Sequence, residues 1–248
     1  MSTFVTQRFG ASATPGGARA QAFARSRAVD ELAGRTVWCA TALPEGEAPA
    51  RELQASLGWA DADGVTAAWL PVSGEEPLRD AATHLEARLA GTQAGAPGTG
   101  AAERDCYATG VGSGEALVGD GVRPEDVVVL HDALTTVLVE AIRERGAHAV
   151  WHVRVQAGRH AAVEQALEFL RGYTAGVGAY VLTWTEPAGD HDIAALIPSL
   201  GVLTAKRTDR GAGAQELAWG SVLAEIVHAD REEMVGGRLH ARPAVAAR

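Results

Sequence analysis

The sequence predicts a single α/β domain, a doubly wound, mostly parallel sheet with helices on its faces. Two observations lead there. Apolar strand-like segments alternate with helical stripes along most of the chain. And Val127–Val155, VVVLHDALTTVLVEAIRERGAHAVWHVRV, spells out a complete strand–helix–strand unit. Val127 to Leu130 is a bare apolar run, as expected of a strand buried on both faces. Leu134, Val137, Leu138, Ala141 and Ile142 then fall at helical spacing on one face, with Glu140, Arg143, Glu144 and Arg145 on the other. Gly146 sits at the C′ position that closes such a helix, and a second strand runs from Ala149 to Val155.

The remaining elements are assigned on the same grounds. Residues 1–33 read as a partly helical extension, with a helix possible up to Leu32. Thr36–Ala42 is the first strand, and LPEGEAPAREL turns into a helix reaching about Leu57. Val65–Pro71 is the second strand, and Glu75–Leu89 a helix with a stripe of Leu78, Ala82, Leu85 and Leu89. Residues 91–114 are glycine-rich and lack apolar periodicity, so they read as one long loop. Beyond the central unit come a helix over Ala161–Ala175, a strand over Ala179–Thr183 and a short strand over Ile193–Ile197. The α/β domain thus spans 34–212, and 213–248 forms a C-terminal helix and tail, with the helix over Ala214–Val227.

Composition narrows the function classes. At 47% apolar residues the core is sizeable, but with only 5% aromatic residues small Ala and Val side chains must fill it. A net charge of −9 argues against nonspecific binding to nucleic acid or to an anionic membrane. Two cysteines, Cys39 and Cys106, are too few for a disulfide framework, and no apolar stretch has the length of a membrane span. A cytoplasmic protein is expected. No GxGxxG and no Walker sequence occurs, so no nucleotide cofactor is expected; Gly46 in the first strand–helix loop is flanked by Glu45 and Glu47, which repel phosphate. Asp190-His191-Asp192 has no third ligand at a recognisable spacing, so no metal is expected either.

Candidate site residues cluster around the central unit. His131 and Asp132 follow the first strand, at the end where open α/β sheets bind ligands. Histidine exchanges a proton near neutral pH, and Asp132 suits either chemistry or the N-cap of the helix. Thr135 and Thr136 stand in the first helical turn, where hydroxyls and backbone N–H groups hold anions. His152 and Arg154 share one face of the following strand, and Arg154 near its end is the candidate to grip a sulfate, phosphate or carboxylate. Arg159 and His160 open the next helix and are candidates to join that oxyanion site.

The string RPEDVVVLHDALTTVLVEAIRERGAHAVWHVRV, with ALEFLRGYTAGVGAYVLT and IPSLGVLTAKR after it, resembles the N-terminal domain of retaining GT-B glycosyltransferases of the trehalose synthase type. The resemblance runs loosely from Thr36 to Arg207 and implies a Rossmann-like sheet. It also marks departures. Pro44-Glu45-Gly46-Glu47 replaces the family's glycine pair, Arg154 a histidine, Gly201 an aspartate, and Lys206-Arg207 a Lys-Asn pair. Lys206 becomes a further candidate for anion binding. In such enzymes the sugar donor sits mainly on a second domain, and the tail ARPAVAAR resembles only that domain's first strand.

The resulting expectation is a half-domain that completes its active site with a protein partner, as a heterodimer. It would act on a small activated metabolite of specialised metabolism, with loss of a sulfate, phosphate or nucleotide. His131, Arg154 and Asp132 would serve catalysis. Alternatives are a non-catalytic stabilising or regulatory subunit, a glycosyltransferase subunit using a nucleotide sugar, and a ligand-binding homodimer.

Overall fold

The computed structural model describes residues 30, 32–42, 65–91, 100–114, 118, 121–156, 160–185 and 204–208. Its centre is a six-stranded sheet in the order β2-β1-β3-β4-β5-β6. The strands are β1 (Val37–Thr41), β2 (Ala67–Pro71), β3 (Val127–Leu130), β4 (His148–Gln156), β5 (Ala179–Thr185) and β6 (Thr204–Thr208). Every neighbouring pair is parallel. The helices are α1 (Glu76–Leu89), α2 (Ala101–Gly112), α3 (Val139–Glu144) and α4 (His160–Thr174), with a 3-10 turn over Leu134–Leu138 leading into α3.

Crossover handedness places these helices. From β2 onward the chain always advances in the same direction across the sheet, so right-handed crossovers put α1 to α4 on one face. That face carries the main core: Ala40, Val128, Leu130, Ala149, Trp151 and Val153 of the strands meet Leu78, Leu85, Tyr107, Leu138, Ile142 and Leu170 of the helices. The β1-to-β2 step runs the opposite way, and its connection, 43–64, lies outside the described residues. β3 is buried throughout, as its bare VVVL sequence requires of a strand flanked on both sides and covered on both faces. Gly146 has φ 76, the left-handed backbone expected after α3.

Three expectations change. The long loop 91–114 contains a twelve-residue helix, α2. Its sequence hides the helix because AAERDCYATGVG is only weakly amphipathic and carries two glycines. Tertiary contacts hold it instead. Gly100 donates its N–H to Glu103 at 2.8 Å, Tyr107 packs edge-on against Phe169 with ring centroids 5.2 Å apart, and Gly110 lets α2 approach α1 closely. A Cβ on Gly110 would lie 2.8 Å from Leu78. Next, the helix after β3 begins as a 3-10 turn, since Thr135 and Thr136 turn their hydroxyls onto the carbonyls of Asp132 and Ala133, both at 2.7 Å. Finally, the sixth strand is TAKRT at Thr204–Thr208, an edge strand whose polar sequence gives no apolar signal. The strand expected over 193–197 and the C-terminal helix and tail fall outside the described residues, as does the N-terminal helix apart from Asp30 and Leu32, which are helical.

Candidate functional site

Strand lengths create the site. β3 has four residues and β4 nine, and the register pairs Leu130, the last residue of β3, with Trp151. β4 therefore continues past the end of β3, with only β5 beside it, and forms a ledge from His152 onward. On the other side of β3 lies β1. Chain direction reverses there, because β2 and β3 flank β1 on opposite sides, and such a reversal is where open α/β sheets bind ligands.

Asp132 bridges that reversal. Its Oδ2 accepts the Ala42 N–H at 2.7 Å, just past β1, and its Oδ1 accepts the Thr135 N–H at 2.9 Å. Burial pushes the Asp132 carboxyl up, while these N–H groups and the Thr41 and Thr135 side chains pull it back towards the charged form. The next residue is held as firmly. Ala133 donates its N–H to Glu86 of α1, and its carbonyl accepts the Tyr107 hydroxyl of α2 at 3.0 Å. Three elements thus converge on two residues of the turn.

On the ledge, His131 and His152 meet edge to face with their Nδ1 atoms 3.2 Å apart. One Nδ1 must donate and the other accept, so the neutral pair holds opposite tautomers. Burial is the first cause that lowers both imidazoles well below the ordinary histidine range. Arg154 adds to it in each case, and His131 also acts on His152. Both rings are therefore neutral near pH 7.

Glu86 behaves in the opposite sense. Its side chain as a whole is half-buried, but its carboxyl end is turned onto the Ala133 N–H. Burial and then the Asp132 carboxylate push it up to about 7, against the Ala133 hydrogen bond and the Arg154 charge. A carboxyl poised there exchanges its proton at physiological pH. The titrating group of this turn is Glu86, and the neutral-pH proton exchange expected of His131 is suppressed by burial.

The structure brings together His131, Asp132, His152 and Arg154, the last half-buried on β4. Thr135 and Thr136 are fully buried, with hydroxyls donated to the carbonyls of Asp132 and Ala133, and in this structure they shape the turn. Lys206 stands in the edge strand, its backbone in register with Thr183, which is in register with Arg154. Two interstrand spacings, about 10 Å, separate Lys206 from Arg154 along that row. His160 is the first residue of α4. Arg159 and Asp190-His191-Asp192 lie outside the described residues. Among the described residues no group of three His, Cys, Asp or Glu side chains is placed to hold a metal, and no helix is long and apolar enough to cross a membrane.

Glu86 was missed by sequence reasoning, although it carries a signal. Leu78, Ala82 and Glu86 stand at i, i+4 and i+8 on α1, so a carboxylate occupies the row that faces the core.

Comparison with known proteins adds one family. Residues 45–188, more than half of the chain, match the family described as trehalose synthase, N-terminal domain. No protein of curated function matches the sequence. Among solved structures, the N-terminal domain of a trehalose-6-phosphate phosphatase from Candida albicans is similar over 70% of this chain, at 17% identity and a TM-score of 0.40. The match takes in 48% of that chain, so the present sequence spans about half of its length.

Proposed function

Since this chain belongs to the trehalose synthase N-terminal domain family, a GT-B glycosyltransferase-type module, we propose that it forms one wall of a composite active site whose other wall is supplied by a partner protein. The substrate is a small activated metabolite, of the kind specialised metabolism supplies, and the reaction releases an oxyanion: a sulfate, a phosphate or a nucleotide. The observation that carries this reading is the ledge itself, where Arg154 and the His131–His152 pair stand together beyond the end of β3. The matched family is by its own description an N-terminal domain, which supports a cleft with a second wall.

Each group has a task in this reading. Arg154 offers a planar, permanently charged fork suited to an oxyanion. The neutral histidine pair contributes an oriented N–H dipole without adding a second positive charge that would trap the product. Asp132 is a positioning residue: both its oxygens are taken by backbone N–H groups, and it fixes the turn carrying His131.

The test is to co-purify the chain from its native host, identify what accompanies it, and assay the complex with Arg154→Ala and His131→Ala separately. Loss of turnover in both variants, with the complex still assembled, is the expected result. Full activity in both would establish a silent stabilising subunit instead. A second reading, favoured by the family match, is transfer of a sugar from a nucleotide donor. Turnover of nucleotide sugars by the same complex separates it from other oxyanion-releasing reactions.

A further inference from the structure

We propose that the strand-end turn binds its anion together with one proton, and that the proton lodges on Glu86. This inference rests on the reading of Arg154 as the anion's partner. Its own foundation is the group of side chains gathered at the ends of β3 and β4. Glu86 reaches in from α1 and is tied to the turn through the Ala133 N–H. It lies within electrostatic reach of both Asp132 and Arg154.

The charge balance of the cluster decides where a proton goes. Before an anion arrives, Glu86 lies between the attraction of the positive Arg154 and the repulsion of the Asp132 carboxylate. An incoming divalent anion takes over the field of Arg154, and an ionised Glu86 then becomes a repelling neighbour. One group must be neutralised. Asp132 is poorly suited, because the Ala42 and Thr135 N–H groups and the Thr41 side chain favour its ionised form. His131 and His152 are held neutral by burial and by Arg154 itself. Tyr107, from α2, already carries its proton and donates it to the Ala133 carbonyl. Glu86 remains. One of its oxygens, Oε1, accepts the Ala133 N–H, and Oε2 is the atom that takes the proton, so uptake leaves the turn's geometry intact.

The sign follows from linkage. Anion binding raises the Glu86 pKa above its resting value of about 7. Affinity is then flat below that value and falls as pH rises through it, by up to about tenfold per pH unit. Sulfate is the probe of choice because it does not itself titrate in this range.

The experiment is a calorimetric titration of the full chain with sodium sulfate between about pH 6 and about pH 9, the window set by that linkage. The wild type should lose affinity above about pH 7. Glu86→Gln keeps an acceptor for the Ala133 N–H and cannot ionise, so it should bind sulfate at high pH as tightly as the wild type does at low pH, with no pH dependence. Arg154→Met should abolish binding at every pH. A Glu86→Gln variant with a wild-type melting profile and an unchanged pH slope would overturn the proton's assignment while leaving the anion site in place. A wild-type chain that binds no sulfate at any pH would overturn the anion site and this inference with it.

Discussion

Strand β3 has a buried aspartate at each end, and the two perform the same mechanical task in different company. Asp126, before the strand, accepts the N–H groups of Thr36 at 2.8 Å and Arg123 at 2.9 Å and the Trp38 indole N–H at 3.0 Å. Asp132, after it, accepts those of Ala42 and Thr135. Each pins β3 to the region of β1. Around Asp126 the other charges pair with opposites: Arg35 meets Glu125 at 3.1 Å, and His148 approaches the same carboxylate, which is 54% exposed and well hydrated. Around Asp132 the fold gathers two facing imidazoles, a carboxyl displaced to about 7 and a half-buried guanidinium. Structure alone needs a clamp at both ends; at the N-terminal end the further titratable groups pair on the exposed Glu125 carboxylate, whereas at the C-terminal end they are buried and displaced from their ordinary ranges. That contrast is the one expected between a functional site and a purely structural clamp.

The largest expected contrast lies in activity. Arg154→Ala should reduce turnover of the assembled complex by about 100-fold or more, the scale of a lost oxyanion donor, with little change in thermal stability. Arg35→Ala, at the opposite end, should leave turnover unchanged in the same assay.

Sulfate binding, rather than stability, should separate the two aspartates next. Replacing either by Ala strands buried N–H groups and should cost about 3 kcal/mol in denaturant unfolding. Only Asp132→Ala should also weaken sulfate binding, since only it loosens the turn that carries His131. Equal loss of binding in Asp126→Ala would erase the distinction between the ends.

The pH dependence of stability gives a third contrast, with two opposed contributions. Glu86 is raised from 4.5 to about 7 on folding, so its contribution is fully present below pH 4.5 and is lost as pH rises through about 7. The lowered histidines act oppositely: they withdraw stability as pH falls below 6.5. Glu86→Gln should therefore stabilise the chain more at high pH than at low pH, by at most about 3 kcal/mol across the range. A variant with the same pH profile as the wild type would contradict the assignment.

Much of this was legible in the sequence, for reasons that also explain the gaps. VVVL announced a strand buried on both faces, Gly146 marked a left-handed helix end, and the His-Asp pair was legible as lying at the C-terminal end of a strand, where the structure places it. The resemblance to GT-B N-terminal domains agreed with the family match. Helix α2 was not legible, because its stability comes from Tyr107 and its partners on α4 rather than from its own periodicity. The local partners of the Thr135 and Thr136 hydroxyls were not legible, because only the folded turn brings the Asp132 and Ala133 carbonyls to them. Glu86 was hidden among the charges of an amphipathic helix. Its importance depends on a register with the β3 turn that a single sequence does not encode locally.

The smallest effect concerns packing beneath the site. Gly110→Ala would set a methyl group against Leu78 and Val137 and should cost about 1 to 3 kcal/mol in thermal unfolding. Sulfate binding should survive, since α2 supports the turn through Tyr107 rather than through Gly110.

Mapping sulfate by amide chemical shifts tests the difference between the two ends most directly. On addition of sulfate to the isotopically labelled chain, the amides of His131 to Ala133 and of His152 to Val155 should move together. Those of Thr36, Asp126 and His148 should remain in place. Shifts centred on the Asp126 end, or none at the end of β3, would contradict the account.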